Sequence, residues 1–357
     1  MKKKLLGKTP DELKALAVAA GLPAYAGKQI AQWLYVKRVR SFDEMTNISK
    51  EGRARLAALY DTGVSGPVGM ALSSDGTKKY LFPVTCPKVP GLDAYEESRP
   101  DELETAAVES VMIPDEDRRT LCVSSQSGCR MGCRFCMTGR QGFHGHLSTA
   151  DILSQFIAVE ESRELTNAVF MGMGEPLDNY ENVMRAIEVL TSDWGFGWSP
   201  KRITLSSIGV MPNLKRYLDG SRCHLAISLH DPFPDERASL MPVEKAWNIA
   251  DVVALIRQYD FSGQRRVSFE YIMFSGLNDS KRHEDALIRM LRGLECRVNL
   301  IRFHKIPDFP YESSPAPVME AFRDRLNAHG ITCTIRASRG EDILAACGML
   351  AGQHSKK

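Results

Sequence analysis

The second half of the chain alternates short apolar runs with amphipathic helical patterns, which limits the fold to a parallel sheet covered by helices. The runs predicted as strands are 119–125, 166–171, 202–207, 224–229, 266–274 and 297–303. The patterns predicted as helices are 149–163, 179–190, 249–259, 280–291 and 317–329. Six βα units are too few to close an eight-stranded barrel, so the sequence predicts an α/β fold with an open, partial (βα)6 barrel. In such a fold, functional side chains gather at the carboxyl ends of the strands.

Residues 1–62 are predicted to form a small all-helical domain. Thr9, Pro10 and Glu12 have the pattern of a helix start, with Thr9 as N-cap and Glu12 completing a capping box. Residues 1–60 contain twelve Lys or Arg against five Asp or Glu. Such a basic surface suits a polyanion, so this domain is interpreted as an accessory RNA-binding domain. A solvated helical face without a partner is the alternative.

Residues 63–118 are predicted to lead into the barrel, which occupies 119–357. The segment 73–76 (SSDG) lies between apolar runs and predicts a β-hairpin. The stretch 86–104 is acidic, contains proline and lacks periodicity, so we expect a surface loop there.

Composition narrows the class of protein. With 357 residues, of which 43% are hydrophobic and 25% charged, the chain has the make-up of a soluble globular protein. It has no apolar run long enough to span a bilayer, and its first residues, MKKKLLG, lack the apolar core of a signal peptide. We therefore expect a cytoplasmic protein with no membrane partner. Nine cysteines, an odd number, favour reduced thiols and metal ligands over a disulfide framework.

Three of these cysteines lie close together in the glycine-rich segment 127–143 (SGCRMGCRFCMTGRQGF). Cys129, Cys133 and Cys136 can point three sulfurs at one centre, and thiolates select zinc or iron–sulfur clusters. A 4Fe-4S cluster held by three cysteines keeps one iron open to the amine and carboxylate of a small molecule. Structural zinc with His144 or His146 as fourth ligand is the alternative, although C-x3-C-x2-C is not a usual zinc-finger spacing.

Further candidate residues follow the predicted strands. Gly174 and Glu175, in the segment GMGEP, combine a backbone that can approach a ligand with a carboxylate that can accept hydrogen bonds from an amine. Each of these residues alone is also typical of an ordinary turn or strand end. The other candidates at strand ends are Ser206, Ser228, Leu229, His230 and His304.

Four segments carry a resemblance to a known family: 120–126 (TLCVSSQ), 172–176 (GMGEP), 226–230 (AISLH) and 339–348 (RGEDILAACG). The cysteine motif and the α/β pattern resemble the radical S-adenosylmethionine (SAM) superfamily, and the four segments resemble its RlmN/Cfr family. The similarity runs from about residue 5 to residue 352. It implies a radical SAM fold, a 4Fe-4S cluster, SAM, and methylation of carbon 2 of an adenosine in 23S rRNA and in tRNA.

The resemblance also implies residue roles. Cys347 is the methyl carrier, and Cys122 is its resolving partner, which forms a disulfide with it to release the product. Glu109 occupies the position of the proton acceptor, with Cys122 as the alternative base. Two SAM molecules are used per turnover, one to methylate Cys347 and one to generate a radical. The cluster ligands are Cys129, Cys133 and Cys136, and the SAM-site positions are Gly174, Glu175, Ser206, Ser228, Leu229, His230 and His304, the last of which stands where many relatives carry Asn.

A radical route suits the chemistry, because carbon 2 of adenine lies between two ring nitrogens and is too electron-poor to displace the methyl group of SAM. The same machinery could methylate carbon 8, as Cfr-type enzymes do, and the likeness over 336–347 favours carbon 2. A non-catalytic RNA-binding protein with structural zinc is the alternative of another class. The expected partners are 23S rRNA before ribosome assembly, tRNA, and an electron donor such as flavodoxin or ferredoxin, and we expect a monomer.

Overall fold

The computed structural model describes residues 2–92, 94–263 and 265–352. Its strands are Lys3–Lys4 (β1), Tyr60–Asp61 (β2), Gly69–Leu72 (β3), Lys78–Pro87 (β4), Leu103–Asp115 (β5), Arg118–Cys122 (β6), Gln126–Gly128 (β7), Phe143–His146 (β8), Asn167–Phe170 (β9), Ile203–Ser207 (β10), His224–Ser228 (β11), Val267–Met273 (β12), Arg297–Arg302 (β13) and Thr332–Ile335 (β14).

The helices are Pro10–Ala19 (α1), Ala26–Ala31 (α2), Lys50–Leu59 (α3), Ala94–Glu97 (α4), Met137–Arg140 (α5), Thr149–Ile157 (α6), Tyr180–Thr191 (α7), Met211–Gly220 (α8), Pro234–Leu240 (α9), Ile249–Ile256 (α10), Lys281–Leu291 (α11) and Ala316–Ala328 (α12). A π-helical stretch, Gln32–Val36, continues α2. Within the described ranges, no helix has the length and apolar character needed to cross a bilayer.

One ten-stranded sheet forms the centre of the molecule, in the order β14-β13-β12-β11-β10-β9-β6-β5-β4-β3. The strands from β6 to β14 along this order are parallel, and β3 to β6 are antiparallel. The sheet is open between β14 and β3 in the described chain, so the prediction of an open α/β barrel is confirmed. It has a seventh parallel strand, β14, beyond the six predicted.

Three barrel elements were not predicted from the sequence: α8, α9 and β14. The helices α8 and α9 both carry proline in the first turn, which is typical of a loop as well as of a helix start, and α9 has only seven residues. The strand β14 has only four residues and alternates too briefly to be recognised. These elements belong to the βα pattern, but their local sequences do not predict them strongly. We attribute their formation to tertiary packing.

The stretch 86–104, expected to be a surface loop, is partly ordered. The β4–β5 ladder extends as far as the pair Cys86–Glu104 and the pair Pro87–Leu103. Between the strands lie α4 and a short 3-10 turn, Pro100–Glu102. Pairing with β5 satisfies the backbone N–H and C=O groups at the start of this stretch, although its sequence has no apolar periodicity that predicts a strand.

The first N-terminal helix begins where the sequence predicts. Thr9 and Glu12 form the capping box at the start of α1. Polar and apolar groups both contact the barrel: Glu12 pairs with Arg185 at 2.7 Å, Lys4 pairs with Asp151 at 3.0 Å, and the Tyr35 ring meets Trp194 edge to face at a centroid distance of 5.5 Å. The helical residues 1–62 therefore rest on the barrel, as expected for a module too small to hold a large core of its own.

A buried arginine joins the ends of two central strands. The Arg237 guanidinium donates to the carbonyls of Leu229 at 2.9 Å, Ser228 at 2.8 Å and Ile208 at 3.3 Å. It also forms a fully buried ion pair with Glu244. The carboxyl ends of β10 and β11 are thus fixed by one side chain.

We expect Arg237→Met to lower the free energy of unfolding by about 3–5 kcal/mol, because Glu244 would keep a buried charge without its partner. Urea unfolding followed by circular dichroism measures this change. Adding Glu244→Met should recover part of the loss, since no unpaired carboxylate then remains. A single variant as stable as the wild type would contradict this account.

Candidate active site

The loop that carries the three cysteines is fixed by a glycine contact. Gly128, at the irregular end of the β7–β8 hairpin, has a φ of 70°. A Cβ atom at this position would lie 2.0 Å from the carbonyl oxygen of Gly142, so only glycine permits the approach. The Cys129 N–H donates to the same carbonyl at 2.8 Å. The hairpin thereby sets where the cysteine loop begins.

Cys129, Cys133 and Cys136 line one cavity of about 870 Å³, a volume that includes the part open to solvent. Among the described residues, their sulfurs do not form a group within 4.8 Å of one another. Sulfurs around one zinc ion lie less than about 4 Å apart, because each Zn–S bond is about 2.3 Å long. In this structure the three sulfurs are therefore more widely spaced than sulfurs around one zinc ion.

Both histidines considered as a fourth zinc ligand make hydrogen-bond contacts. His144 Nδ1 lies 2.7 Å from a carboxylate oxygen of Glu104. His146 is held on both sides, by the Gln126 amide at 3.3 Å and the Arg130 guanidinium at 3.1 Å. Burial lowers the pKa of His146 to about 4, so the ring is neutral. His146 is therefore unsuited to be a zinc ligand, whereas the Nδ1 contact of His144 does not decide the matter, because a metal would bind its Nε2.

The opposite wall of the cavity is built from the ends of the parallel strands. Gly174 has a φ of 93°, and a Cβ atom there would lie 2.4 Å from the Gln126 side chain. The Gln126 amide oxygen accepts a hydrogen bond from the Glu175 N–H at 2.8 Å. The sequence-predicted residues that line this wall are Gly174, Glu175, Ser206, Ser228 and His230.

Glu175 is a buried carboxylate at the cavity wall. Its Oε1 accepts from the Leu177 N–H and its Oε2 from the Ile208 N–H, each at 3.0 Å. Burial nevertheless raises the pKa of Glu175 to about 7, against these hydrogen bonds. A cationic group in the cavity would offset the cost of ionising it.

His230 is neutral and fixed in orientation. Its Nδ1 accepts from the Ile272 N–H at 3.0 Å, which places the ring proton on Nε2. Burial lowers the pKa of His230 to about 3. The ring meets Phe135, in the cysteine loop, edge to face at a centroid distance of 5.0 Å. His230 is therefore a polar but uncharged part of the cavity wall.

Two of the candidate SAM-site residues lie outside this cavity. Leu229 is fully buried in the core. Because side chains alternate along an extended chain, it lies on the opposite face from Ser228 and His230, which line the cavity. His304 Nε2 lies 3.0 Å from the Ser338 hydroxyl, and its Nδ1 lies 3.8 Å from Glu341. His304 thus contacts the segment that leads to Cys347 rather than the cavity.

Cys347 is brought into the cavity from the far end of the sequence, more than 200 residues after Cys136. Three hydrogen bonds tie its segment to α5 and the residue that follows this helix. The carbonyl of Gly348 accepts from the Met137 N–H at 2.8 Å. The carbonyls of Leu350 and Ala351 accept from Thr138 at 2.8 Å and Gln141 at 2.7 Å.

A second thiol and an ion pair lie beside Cys347. Cys122 ends β6, and Cys347 adds to the burial that raises the pKa of the Cys122 thiol to about 12. The Arg336 guanidinium opposes this shift at both thiols and pairs with Glu270 at 3.4 Å. All described cysteines are free, so the expected disulfide between Cys122 and Cys347 is not present as a structural bond.

Sequence reasoning missed Glu270 and Arg336. A signal for Glu270 existed, since it is a lone charge within the otherwise buried strand β12. Arg336 follows β14, and it was overlooked because that strand was not recognised.

Glu109, in β5, contacts the C-terminal end of the segment that carries Cys347. Its carboxylate pairs with Lys79 at 2.9 Å, and both groups are buried. Its Oε2 also accepts from the N–H groups of Ala351 at 2.7 Å and Gly352 at 3.1 Å. In this conformation the carboxylate is fully engaged in holding the C-terminal segment.

Comparison with known proteins bears on this arrangement. The family model of the radical SAM superfamily matches residues 123–287. The model described as the ribosomal RNA large subunit methyltransferase N-terminal domain matches residues 3–61. A probable dual-specificity RNA methyltransferase RlmN from Porphyromonas gingivalis is 58% identical over 97% of this chain and 96% of that protein. A dual-specificity RNA methyltransferase RlmN from Syntrophus aciditrophicus is 39% identical over 96% of this chain and 94% of that protein.

This chain belongs to the RlmN family of radical SAM RNA methyltransferases. The crystal structure of a radical SAM methyltransferase from Sphaerobacter thermophilus has the same fold, with a TM-score of 0.88, 36% identity, and coverage of 98% of this chain and all of that one. The protein is therefore an enzyme of a family that uses a 4Fe-4S cluster and SAM, and the non-catalytic zinc alternative is set aside.

The pKa of Glu175 predicts a pH dependence of stability in the SAM-free protein. Its folded pKa of about 7 lies above the ordinary value of 4.5, so the stability that the neutral form contributes is lost as pH rises from 4.5 through 7. Relative to Glu175→Gln, the wild type should lose about 3 kcal/mol of unfolding free energy between pH 4.5 and pH 8. Urea unfolding at several pH values measures the difference, and parallel curves for the two proteins would refute the assignment.

Proposed function

We propose that this enzyme methylates carbon 2 of an adenosine in 23S rRNA, and an adenosine in tRNA, through a methyl group carried on Cys347. The observation that carries this proposal is the presence of Cys347 in the cavity that also holds Cys129, Cys133 and Cys136. A thiol so remote in sequence reaches that cavity only because its segment is bound to α5. An acceptor sulfur beside a metal-binding cysteine loop is what a carrier mechanism requires.

The cysteine loop fits a 4Fe-4S cluster. Burial raises the pKa of Cys129 and Cys133, the latter to about 12, and the neighbouring thiols add to the effect. Iron would replace the protons and stabilise the thiolates. When bound, the cluster supplies the electron that cleaves SAM and so makes hydrogen abstraction from an unactivated carbon possible. The wall with Gly174, Glu175, Ser206, Ser228 and His230 would hold SAM, with Glu175 placed for its amine.

Cys347 performs the first step as a nucleophile. Its thiolate attacks the methyl carbon of SAM, and the carbon–sulfur bond of the sulfonium breaks toward the leaving thioether. The Arg336 guanidinium favours the thiolate, because it lowers the pKa of Cys347 against the effect of burial. Removal of a hydrogen atom from the S-methyl group, which would need a second SAM, would leave the carbon placed to bond to the adenine, and the unpaired electron on the resulting adduct would have to pass back to the cluster.

Release of the product needs two events at the adduct. The proton on carbon 2 must leave, and the bond between the new carbon and the Cys347 sulfur must break. Cys347 is near enough to contribute to the raised pKa of Cys122. If the Cys122 thiolate bonds to the Cys347 sulfur, the carbon–sulfur bond breaks, its electron pair stays on the carbon, and that carbon takes up a proton to become the methyl group of the released RNA. This disulfide is a transient product of turnover and is then reduced.

Glu109 acts in the conformation described here as a positioning residue. Its contacts with Ala351 and Gly352 hold the segment that carries Cys347 at the cavity, and the ion pair with Lys79 holds the carboxylate in turn. The carboxylate could accept the carbon-2 proton only after the segment lets go of it. Cys122 is the alternative base.

The remaining parts of the proposal concern partners. The helical residues 1–62 contact RNA, and a basic surface depression supports this, with Lys2, Arg40, Lys50 and Arg53 in its lining. The enzyme acts as a monomer in the cytoplasm on 23S rRNA before ribosome assembly, and it receives electrons from a flavodoxin or ferredoxin. Residues 63–118 form the lead-in to a barrel that begins at residue 119, and residues 353–357 of its predicted range lie outside the described residues.

Anaerobic reaction of the reconstituted enzyme with SAM and protein-free 23S rRNA fragments tests the activity. We expect 2-methyladenosine by mass spectrometry and NMR of the digested RNA. The Cys347→Ala variant should keep its cluster absorbance and lose methylation entirely, while Cys122→Ala should accumulate RNA covalently bound to protein. A product that is only 8-methyladenosine would instead assign the Cfr-type reaction.

The role of Glu109 can be tested apart from RNA. Glu109→Gln and Lys79→Met should each slow formation of S-methyl-Cys347 from SAM by about 10–100-fold, because the acceptor sulfur would be misplaced. Mass spectrometry of the Cys347 peptide follows this step, and Glu116→Gln, at an exposed turn, is the matched control. Normal methylation of Cys347 in Glu109→Gln, followed by a stalled RNA adduct, would show that Glu109 acts as the base instead.

A further inference from the structure

A second cluster of possible metal ligands lies outside the cysteine cavity. Asp231 follows β11, Glu236 lies in the first turn of α9, and His283 lies in the first turn of α11. One ligand atom from each residue lies within 4.8 Å of the other two. Within the described part of the chain, no other group of three or more Asp, Glu, His or Cys side chains meets this condition.

One oxygen of this cluster is buried without a partner. Asp231 is fully buried, and its Oδ1 accepts from the Phe233 N–H at 2.8 Å. Its Oδ2 has no hydrogen-bond partner and points toward His283, whose Nε2 lies 3.9 Å away. A buried carboxylate oxygen without a donor is costly, so the site favours a positive group at this point.

The other two side chains are already oriented toward the same point. His283 Nε2 lies 2.8 Å from Glu236 Oε2, while its Nδ1 lies 2.7 Å from the Ser280 hydroxyl. A histidine that binds a metal through Nε2 donates its Nδ1–H to such an oxygen, which fixes the ring. The Arg282 guanidinium contacts Oε1 of Glu236 and leaves Oε2 facing His283.

Exposure supplies an entry path to this point. The side chains of Asp231 and His283 are 0% and 4% exposed, whereas that of Glu236 is 30% exposed. An ion could therefore enter past Glu236 and complete its coordination with water. Two carboxylate oxygens and one imidazole nitrogen form a donor set of the kind that divalent first-row metals such as zinc accept.

We propose that Asp231, Glu236 and His283 bind one divalent first-row transition metal ion, with zinc as the favoured ion. The ion joins the turn after β11 to the starts of α9 and α11. Because His230 precedes Asp231 and lines the cysteine cavity, the site braces one wall of that cavity without taking part in the chemistry. This proposed metal site is separate from the site of the 4Fe-4S cluster, and none of its three ligands is a thiol.

Zinc binding to the cluster-loaded enzyme tests this inference without any RNA. The protein is mixed anaerobically with Zn²⁺ alone, passed over a desalting column and analysed for zinc and iron. We expect one zinc per chain in the wild type and in Asp235→Asn, an exposed carboxylate beside Glu236 that serves as the matched control. Asp231→Asn and Glu236→Gln should each weaken binding at least about tenfold, with unchanged iron content.

Two further readouts separate this site from thiols and from misfolding. X-ray absorption at the zinc edge should show nitrogen and oxygen ligands at about 2.0–2.2 Å and no sulfur at about 2.3 Å. Zinc should raise the melting temperature of the wild type and not of Asp231→Asn, which without zinc should melt no lower than the wild type because it removes an unpaired buried charge. Absence of bound zinc in the wild type, sulfur ligation, or full zinc retention in both variants would overturn the proposal.

Discussion

The active site depends on the hydrogen bonds between the C-terminal segment and the region around α5. The carbonyls of Gly348, Leu350 and Ala351 accept from groups on Met137, Thr138 and Gln141. The acceptors are backbone carbonyls of the C-terminal segment, and the donors are groups that directly follow the cysteine loop in the sequence. The sulfur of Cys347 is thereby placed relative to the three loop cysteines without a covalent link, and the segment can still be moved at modest energetic cost.

The open sheet explains why this arrangement is possible. Parallel strands bring the ends of β9, β10 and β11 to one edge, where Glu175, Ser206, Ser228 and His230 form a wall. A closed barrel would fill the space beyond β14 with another strand. Here that space is crossed by the segment after β14, which carries the second group of functional residues. The fold thus supplies a rigid wall on one side and a tethered segment on the other.

Much of this could be predicted from the sequence, and the remainder has physical reasons. Alternation of apolar runs and helical patterns gave the α/β fold, and the spacing of Cys129, Cys133 and Cys136 indicated the metal loop. The family resemblance pointed to Cys347, which no local pattern marks. Arg336 and the side-chain directions of Leu229 and His304 depend on tertiary packing. The cluster of Asp231, Glu236 and His283 joins three elements, so residue spacing alone does not show it.

The environment of Cys347 has a consequence for how the enzyme survives between reactions. The residue as a whole is exposed, but its thiol lies in the cavity lining, where burial raises the pKa of Cys347. A thiol in that state is protonated at neutral pH and resists oxidants, because the thiolate is the form that they attack. If Cys347 is the methyl acceptor, as proposed, the sulfonium cation of SAM would lower the cost of ionising its thiol when a nucleophile is needed. The surroundings would then keep the acceptor inert, and its own methyl donor would make it reactive.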